Sequence, residues 1–543
     1  MAEITPPAGE NRGLWKSKIG FILAASGSAI GLGNIVFFAS NAYQYGGGAF
    51  YLPYFIALFV LGIPVMIIEF SLGTMTGKSF PTAMRQLVGK KGEYAGWWTI
   101  SCALFITMYY ITILGWALTM LVGAFGGLLT DPAIAPFAGM DSPSDGPNAM
   151  VYFFGMIATW APMLSVAAIW TMTILILWRG TKTIEAAVRI FVPLMWVFMI
   201  ILIVRGLTLD GGVDGMLYLF TPNLDGIMDV NVWQGAFAQM FFSLSLGLGT
   251  MTAYASYLPK DADQINNSMV VSFLNCGFEF IAGIAIFSML FAFAIVPAGG
   301  TLSLSFFVIP QGIAEFPFWI KGFGVFFFFL LVIAGLTSSV SLVEGMASPL
   351  IDKLGVSRAK GLTMVMIPGI IGSLAFALPH VIDQGLSGNG TLGLTLLDIL
   401  DHWAFRYSLL IGGLIECVMI GWVLGADKLR TFVNEHSKFT LGRWFNVQIK
   451  FVIPIILTLV IGGTLWQDLG GVWWGDGVAW WNVGALWNNI KANLYGSAQE
   501  MPGFGWLPAA IPVFWIIATL IMSTVLTNRP SHDHDPHNVS NPA

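Results

Sequence analysis

The sequence predicts an all-α polytopic membrane protein, and three observations carry that prediction. Hydrophobic residues make up 56% of the 543 residues, whereas Asp, Glu, Lys and Arg make up only 10%, against about 25% in an ordinary soluble chain. Twelve stretches of about 20 mostly apolar residues are long enough to cross a hydrocarbon core as helices. No stretch alternates apolar and polar residues for long, which argues against transmembrane strands.

The order of the spans and the charges between them predict the orientation. The apolar stretches begin near Trp15, Gly47, Trp97, Tyr152, Ile184, Trp233, Ser268, Lys321, Leu362, Leu397, Val447 and Leu507. Of the 24 Lys and Arg residues, 20 fall on one side of the predicted spans, and positively charged loops stay in the cytoplasm. We therefore expect both termini to be cytoplasmic, in a bacterial-type inner (plasma) membrane.

Composition also excludes several classes of function. A net charge of -5 gives no support to a nucleic-acid partner. The three cysteines each lie inside an apolar run, which argues against disulfides and against a cysteine-based zinc site. The sequence contains no P-loop, no dinucleotide fingerprint and no recognisable Ser/His/Asp spacing, so we expect no enzyme.

Spans 1 and 6 each carry a cluster of glycine and hydroxyl residues near mid-membrane. These are residues 26–34 (SGSAIGLGN) and 243–250 (SLSLGLGT). Glycine costs about 1 kcal/mol relative to alanine in a helix, and a bilayer tolerates unwound backbone only where it lines a cavity or is buried in protein. Two interrupted helices five spans apart are typical of an inverted-repeat transporter with its site between them. Close packing on small residues is the alternative.

The two repeats divide the chain into six segments. They are a cytoplasmic N-terminal segment at 1–14, a first five-helix repeat at 15–206, an extracellular loop at 207–231, a second five-helix repeat at 232–425, spans 11 and 12 at 426–528, and a disordered cytoplasmic tail at 529–543. A solvated tail is preferred to a metal site for its histidines. The tryptophans between Trp473 and Trp487 are expected at the membrane interface.

Polar side chains near the two clusters supply oxygen atoms for a cation. Asn34 and Asn275 offer amide oxygens, Ser243 a hydroxyl, and residues 337–339 (TSS) a run of hydroxyls. A hard monovalent cation prefers several, mainly uncharged oxygens, whereas half-helix N-termini favour an anion. The set predicts Na⁺ bound beside an anionic group of the substrate. For each hydroxyl alone, a hydrogen bond back to its own helix is the alternative.

Several longer motifs agree in order and spacing with one family. The motifs are 31–34 (GLGN), 46–50 (GGGAF), 109–110 (YY), 242–247 (FSLSLG), 254–257 (YASY), 334–339 (AGLTSS) and 425–428 (GADK). From Arg12 to about Asn528 the chain resembles the neurotransmitter:sodium symporter family, in particular its bacterial sodium-coupled amino-acid transporters of the leucine-transporter fold. The resemblance implies 12 transmembrane helices, an inverted repeat of spans 1–5 and 6–10, and broken helices 1 and 6.

The resemblance also implies where substrate and sodium bind. One sodium site would use Ala29, Asn34, Ser243 and Asn275 with the substrate carboxylate, and the other Gly27, Ile30, Ala334, Thr337 and Ser338. The substrate would contact Ala29, Gly31, Leu32, Gly33, Ile106, Tyr110, Phe242, Ser243, Ser245, Leu248, Ser338 and Leu342. Its carboxylate would meet Leu32, Gly33 and Tyr110. Gly31 stands where the monoamine branch has Asp, so the substrate is expected to carry a free carboxylate.

Gates are implied on both sides of the site. Arg12 and Asp352 match the family's cytoplasmic gate, with Tyr257 nearby. The family's outer-gate arginine is replaced by Phe37, although its acidic partner is retained as Asp401. We expect closure by aromatic packing of Phe37, with an ion pair between Asp401 and Arg406 as the alternative.

Glu279, four residues after Asn275, predicts chloride independence. In the family, chloride-dependent members have a small hydroxyl residue here and chloride-independent bacterial members an acid. Tyr54, Gln239 and Ser243 match the remaining positions of that anion site. The carboxylate would be ionised when sodium is bound and protonated on the empty return, so protons would move outward. A protonated Glu279 within the helix packing is the alternative.

Together these features predict a sodium-coupled secondary active symporter that imports a small to medium neutral apolar amino acid by alternating access. Its expected partners are the amino acid, sodium and the lipid bilayer, and the chain is expected to be a monomer or weak homo-oligomer. The alternative is an osmolyte or betaine carrier, or a carrier of another carboxylate-bearing amino compound, of the same fold. Tyr110 and Phe242 are the only obvious aromatics at the pocket, which disfavours a cage for a quaternary ammonium. A channel fits twelve asymmetrically charged spans less well.

Overall fold

A computed structural model describes residues 14–125, 149–294, 301–314, 316, 319–382, 392–468 and 507–531. Within these ranges the protein consists of helices and connecting turns, with no strand. Nine of the described helices are long and apolar enough to cross a membrane, and joining the two bent segments of the first helix makes a tenth span. Two further helical units lie at the predicted spans 4 and 6. The predicted all-α polytopic fold is confirmed.

We number the twelve helical units α1 to α12 in chain order. They are α1 (Lys18–Ala29 and Gly33–Gln44), α2 (Gly48–Thr76), α3 (Lys90–Phe125), α4 (Ala161–Leu177), α5 (Thr181–Leu207), α6 (Val230–Ser243 and Thr250–Ala255), α7 (Gln264–Ala292), α8 (Ile320–Leu354), α9 (Arg358–Ile382), α10 (392–436), α11 (444–468) and α12 (Leu507–Asn528). Shorter helices between them are Phe80–Val88, Ala149–Ile157, Gly212–Phe220, Leu224–Ile227 and 301–314.

Local sequence explains several of the helix ends. The Ser17 hydroxyl accepts a hydrogen bond from the Gly20 amide at 3.0 Å where α1 begins. The Asp263 carboxylate accepts one from the Asn266 amide at 3.0 Å where α7 begins. Both side chains satisfy an amide that has no partner in the first helical turn. Gly355 follows the last residue of α8 with φ 62°, a left-handed conformation that glycine adopts without steric cost.

Both predicted helix breaks are present. The two segments of α1 meet at an angle of 63°. The two segments of α6 are separated by residues 244–249, in which Ser245, Gly247 and Gly249 have positive φ values of 54°, 72° and 70°. Because α1 packs against α5, α7 and α8, and α6 packs against α2 and α8, both breaks lie inside the bundle.

Several spans also contain a turn of π-helix. Examples are Gly33–Phe37 in α1 and Asp401–Tyr407 in α10. A π turn holds one extra residue and shifts the following side chains around the helix axis, and such turns are frequent at functional sites. The apolar pattern of the sequence does not distinguish these turns from α-helix.

Three predictions concern residues outside the described ranges. These are Arg12 of the cytoplasmic gate, the tryptophans between Trp473 and Trp487, and the histidines of the C-terminal tail.

Candidate functional site

A cavity of about 590 Å³ lies at the two helix breaks. All of the residues predicted to contact the substrate line it, which brings together side chains and backbone from α1, α3, α6 and α8. Towards the side opposite Trp15 it continues to Asp398, Asp401 and Arg406 of α10. The cavity is therefore a single space that includes the predicted site and a charged outer region.

Aromatic residues line much more of this cavity than the sequence suggested. Besides Tyr110 and Phe242, the rings are those of Phe37, Tyr109, Phe153, Phe154, Phe307 and Phe405. The expectation that Tyr110 and Phe242 were the only aromatics at the pocket is therefore wrong. Phe153 and Phe154 lie in the helix before α4 and Phe307 in a short helix before α8, so only tertiary packing places them at the cavity.

The hydroxyl of Tyr110 is a candidate group for binding a carboxylate. It is buried and faces Ser338 and the Leu32 amide, and no hydrogen bond of ordinary geometry within the described residues satisfies it. A Cβ atom at Gly31 would lie 3.1 Å from this hydroxyl and 2.5 Å from the Ser338 Oγ. Glycine at position 31 therefore keeps the space beneath Tyr110 open.

Asn34, Ser243 and Asn275 form one buried hydrogen-bonded cluster that we call the amide cluster. The Asn34 Nδ2 donates to the Asn275 Oδ1 at 2.7 Å and to the Ser243 Oγ at 3.2 Å. The Asn275 Nδ2 donates to the same Ser243 Oγ at 2.5 Å. The Asn34 Oδ1 accepts from the Gly31 amide at 2.8 Å. Residues from α1, α6 and α7 that the sequence separates widely thus meet beside the cavity.

The residues of the second predicted sodium site lie around the junction of α1 and α8. Thr337 donates its hydroxyl hydrogen to the Ala334 carbonyl at 2.8 Å. Ser338 donates to the Ser28 carbonyl at 3.0 Å and lies 3.3 Å from the Ala334 carbonyl. A Cβ atom at Gly27 would lie 3.5 Å from the Thr337 Cβ. Thr337 thus bonds to its own helix, as the alternative for each hydroxyl expects, whereas the shorter hydrogen bond of Ser338 goes to α1.

The unwound part of α6 is supported by a carboxyl group of α2. The Gly247 amide donates to the Glu69 Oε1 at 2.7 Å, and Glu69 is fully buried. A second buried acid, Glu416 of α10, lies close enough for the two charges to interact. The sequence analysis missed both acids. The signal was available, because an ionisable residue inside an apolar span marks a functional candidate by itself.

Polar and aromatic contacts close the cavity on the side of Trp15. The Trp15 Nε1 donates to the Tyr254 carbonyl at 2.8 Å. The Tyr257 hydroxyl donates to Glu344 at 2.5 Å, and Glu344 also pairs with Arg358. Asp352, predicted to act in this gate, instead accepts from the Ser79 amide at 2.9 Å and from the Ser79 hydroxyl at 2.5 Å. The structure therefore places Tyr257 and Asp352 in separate contacts, and Glu344 and Arg358 are further residues of this closure.

Aromatic rings meet where the cavity passes from its inner to its outer part. The Phe37 ring lies 4.8 Å from the Phe242 ring, at an interplanar angle of 63°. Within the described residues no ion pair joins Asp401 and Arg406, although the Arg406 charge acts on Asp401. The observed contact is thus of the kind expected for Phe37.

Glu279 lies fully buried on α7 and accepts a hydrogen bond from the Gln239 Nε2 at 3.0 Å. The Gln239 Oε1 accepts in turn from the Asn41 Nδ2 at 2.9 Å. Tyr54 instead contacts the Cys276 Sγ at 3.4 Å, and Ser243 belongs to the amide cluster. Of the four residues that match the anion site, Gln239 and Glu279 are in direct contact.

Within the described ranges no group of three or more His, Cys, Asp and Glu residues could hold a metal ion. The three cysteines are free and buried.

Comparisons with known proteins identify the family. The model of the sodium:neurotransmitter symporter family matches residues 12–131 and 149–468. An uncharacterized sodium-dependent transporter of Methanocaldococcus jannaschii is 40% identical over 456 residues, covering 82% of this chain and 89% of the relative. The sodium- and chloride-dependent taurine transporter of Rattus norvegicus is 27% identical over 505 residues, covering 84% of this chain and 78% of the relative. The crystal structure of MhsT in complex with L-phenylalanine superposes with a TM-score of 0.72 at 31% identity, over 83% of this chain and all of that one. The chain therefore belongs to the sodium:neurotransmitter symporter family, whose members are sodium-dependent integral membrane transporters.

Proposed function

We propose that the chain imports a small to medium neutral apolar amino acid together with sodium, by alternating access across the plasma membrane. One observation carries this proposal. A single cavity at both helix breaks contains the unsatisfied hydroxyl of Tyr110 and borders the amide cluster. A carboxylate bound at Tyr110 would share sodium with Asn34 and Asn275, which would couple the two ligands. MhsT, with its bound L-phenylalanine, supports an amino acid as the substrate class.

Sodium binding at the amide cluster would exchange one set of contacts for another. The Oδ1 atoms of Asn34 and Asn275 now accept hydrogen bonds at 2.8 and 2.7 Å. A sodium ion would take these oxygens as ligands together with the Ser243 Oγ and the Ala29 carbonyl. At the second site, Thr337 and Ser338 would turn their oxygen lone pairs to the ion with the carbonyls of Gly27, Ile30 and Ala334. Sodium at the two sites would thus hold α1 in contact with α6, α7 and α8.

The orientation follows from the charges and the closed side. The loops on the side of Trp15 contain most of the Lys and Arg residues, which favours the cytoplasm for that side and for both termini. The contacts of Trp15, Tyr257 and Glu344 would then form the cytoplasmic gate. The outer part of the cavity, at Asp398, Asp401 and Arg406, would then face the outside of the membrane.

Uptake into proteoliposomes tests the function directly. With an inward sodium gradient, the purified chain should accumulate radiolabelled L-leucine above its external concentration. Uptake should fall to the level of empty liposomes when choline replaces sodium. Uptake that persists in choline contradicts sodium coupling, and equilibration without accumulation contradicts a symporter and favours a channel.

A carrier of betaine or another osmolyte is the second candidate function, and the aromatic lining of the cavity supports it. Rings such as Tyr109, Phe153 and Phe405 supply the faces that attract a quaternary ammonium. One relative is named as a transporter of taurine, an amino compound that is not an α-amino acid. Stronger competition by glycine betaine or taurine than by L-leucine would select this candidate.

Selectivity among apolar amino acids is expected to be modest. Ile106, Leu248 and Leu342 line the cavity and offer no polar group. Removing one methylene from the substrate therefore costs only about 1 to 3 kcal/mol of binding free energy. Alanine, valine and phenylalanine should each inhibit L-leucine uptake, and their half-inhibitory concentrations should differ only gradually. Stronger inhibition by lysine or glutamate than by these three contradicts the apolar pocket.

Transport is expected to be independent of chloride because Glu279 supplies a fixed negative charge. A chloride ion beside this buried carboxylate would meet like-charge repulsion in a low-dielectric setting. Wild-type uptake in gluconate should equal uptake in chloride, and Glu279→Ser should transport only when chloride is present. Glu279→Gln serves as the control, since it removes the charge but leaves no space for an anion. A wild type that stalls in gluconate would show that Glu279 does not replace the anion.

Outward proton movement during uptake, followed with an internal pH dye, tests the proposed counter-transport.

A further inference from the structure

Phe242 lies across the inner part of the cavity. It is the next-to-last residue of the first α6 segment, directly before the unwound backbone. A Cβ atom at Gly33 would lie 2.4 Å from the Phe242 ring, so the ring covers the backbone that is proposed to bind the substrate carboxylate. The Phe242 ring thus lies between this backbone and the rings of Phe37 and Phe405.

Two further rings hold Phe242 from different helices. Phe37 of α1 contacts it at 4.8 Å, and Phe405 of α10 at 4.3 Å with an interplanar angle of 84°. Both are edge-to-face contacts, the arrangement that aromatic quadrupoles favour. The three rings therefore connect α1, α6 and α10 at one level of the cavity, and we call them the aromatic lock.

The position of Phe405 depends on how α10 is held. It lies in the π turn Asp401–Tyr407, and two neighbours of Phe405 in this turn bond to α11. The Tyr407 hydroxyl donates to the Asp468 Oδ2 at 2.5 Å, and the His402 Nε2 lies 2.8 Å from the same oxygen. The Trp403 ring stacks on Tyr407 at 5.3 Å. These contacts anchor the turn and leave Phe405 directed to Phe242.

We propose that Phe405 is the α10 half of an apolar outer gate, which acts through Phe242 and sets the rate at which substrate escapes to the outside. This inference rests on the proposed function. Within the described part of α10 Asp401 forms no ion pair with Arg406, and its carboxyl faces the Tyr109 hydroxyl. The contact of α10 with α6 at this level of the cavity is therefore made by aromatic rings. Phe405 is a positioning residue, since it contacts the ring that covers the substrate and not the substrate.

The test measures dissociation of radiolabelled L-leucine from the purified chain in saturating sodium. Phe405→Ala should release leucine about 3- to 10-fold faster than wild type, because an edge-to-face pair is lost. Phe405→Tyr keeps the ring and should release it at the wild-type rate. Phe154→Ala is the matched control: it removes another ring that lines the same cavity but contacts Phe153 and Phe307 and not Phe242. It should also behave as wild type.

Salt dependence separates an apolar gate from a polar one. Raising choline chloride from about 0.1 to about 1 M at constant sodium screens exposed ion pairs. The wild-type dissociation rate should not change with this increase. A dissociation rate that rises with salt, or a Phe405→Ala variant that releases leucine at the wild-type rate, overturns the proposal.

A measurement that needs no substrate tests the aromatic lock independently of the proposed transport function. A wild type that fails to bind leucine in sodium contradicts the proposed substrate class but not the lock. In that case a cysteine introduced by Leu342→Cys, which lines the cavity, reports access to it. The three native cysteines are buried and should not react with a thiol reagent. A membrane-impermeant thiol reagent should modify this cysteine faster in the Phe405→Ala background and at the unchanged rate in the Phe154→Ala background. Equal rates in both backgrounds overturn the lock.

Discussion

Replacing Lys353 by Met is expected to lower the free energy of unfolding by about 3 to 5 kcal/mol, because the buried Glu93 carboxylate loses its fully buried cationic partner. The Lys353 Nζ lies 2.5 Å from the Glu93 Oε1, and both side chains are 0% exposed. Glu93 retains a contact with Arg85 and a hydrogen bond from the Trp97 indole at 3.3 Å. The Trp97 indole is neutral and the Arg85 side chain is partly exposed to solvent, so neither compensates the Glu93 charge as fully as the buried Lys353 ammonium does. The apparent melting temperature in detergent and the inactivation half-life measure the loss.

Two variants show whether the charge is the cause. Arg85→Gln removes the other basic partner of Glu93, but the Arg85 side chain is 31% exposed and water replaces part of its interaction. We expect a clearly smaller loss than for Lys353→Met. The double variant Lys353→Met, Glu93→Gln removes both charges and should recover most of the stability. If the double variant is no more stable than Lys353→Met, lost packing and not the unpaired carboxylate explains the effect.

Replacing Asn34 by Ala is expected to weaken sodium binding by about 1 to 3 kcal/mol, roughly 5- to 150-fold in apparent affinity. The substitution removes one candidate ligand. It also leaves the Gly31 amide and the Asn275 Oδ1 without the hydrogen bonds they now make at 2.8 and 2.7 Å. Because ligands that bind only the folded chain raise its stability, the sodium concentration at half-maximal thermal stabilisation reports the change.

Ser268→Ala is the matched control for Asn34→Ala. Ser268 is a buried polar residue on α7, the helix of Asn275, but it lies about two turns away from it. Its replacement should leave the sodium concentration at half-maximal stabilisation unchanged. If Asn34→Ala responds to sodium as wild type does, sodium does not bind at the amide cluster.

The spans and their breaks could be predicted from the sequence because they depend on local physics. A bilayer requires about 20 apolar residues for each helix, and clustered glycines favour unwinding wherever they occur in such a helix. The structure accordingly breaks α1 at residues 30–32 and α6 at residues 244–249, inside the two glycine-rich clusters. The oxygen-bearing residues Asn34 and Ser243 were likewise visible, since they lie in or beside the two glycine-rich clusters.

Contacts between different helices were decided by the tertiary structure alone. The support of the Gly247 amide by Glu69, the pairing of Glu344 with Arg358, and the contact of Phe405 with Phe242 each join different helices. Their partners are set by how the helices pack, and no periodicity within one span specifies that packing. The π turn Asp401–Tyr407 has the same origin, because one extra residue in a turn leaves the apolar pattern unchanged but turns Phe405 to a new neighbour. The sequence by itself determined an all-α transporter with broken helices, and tertiary packing decided which side chains form its gates.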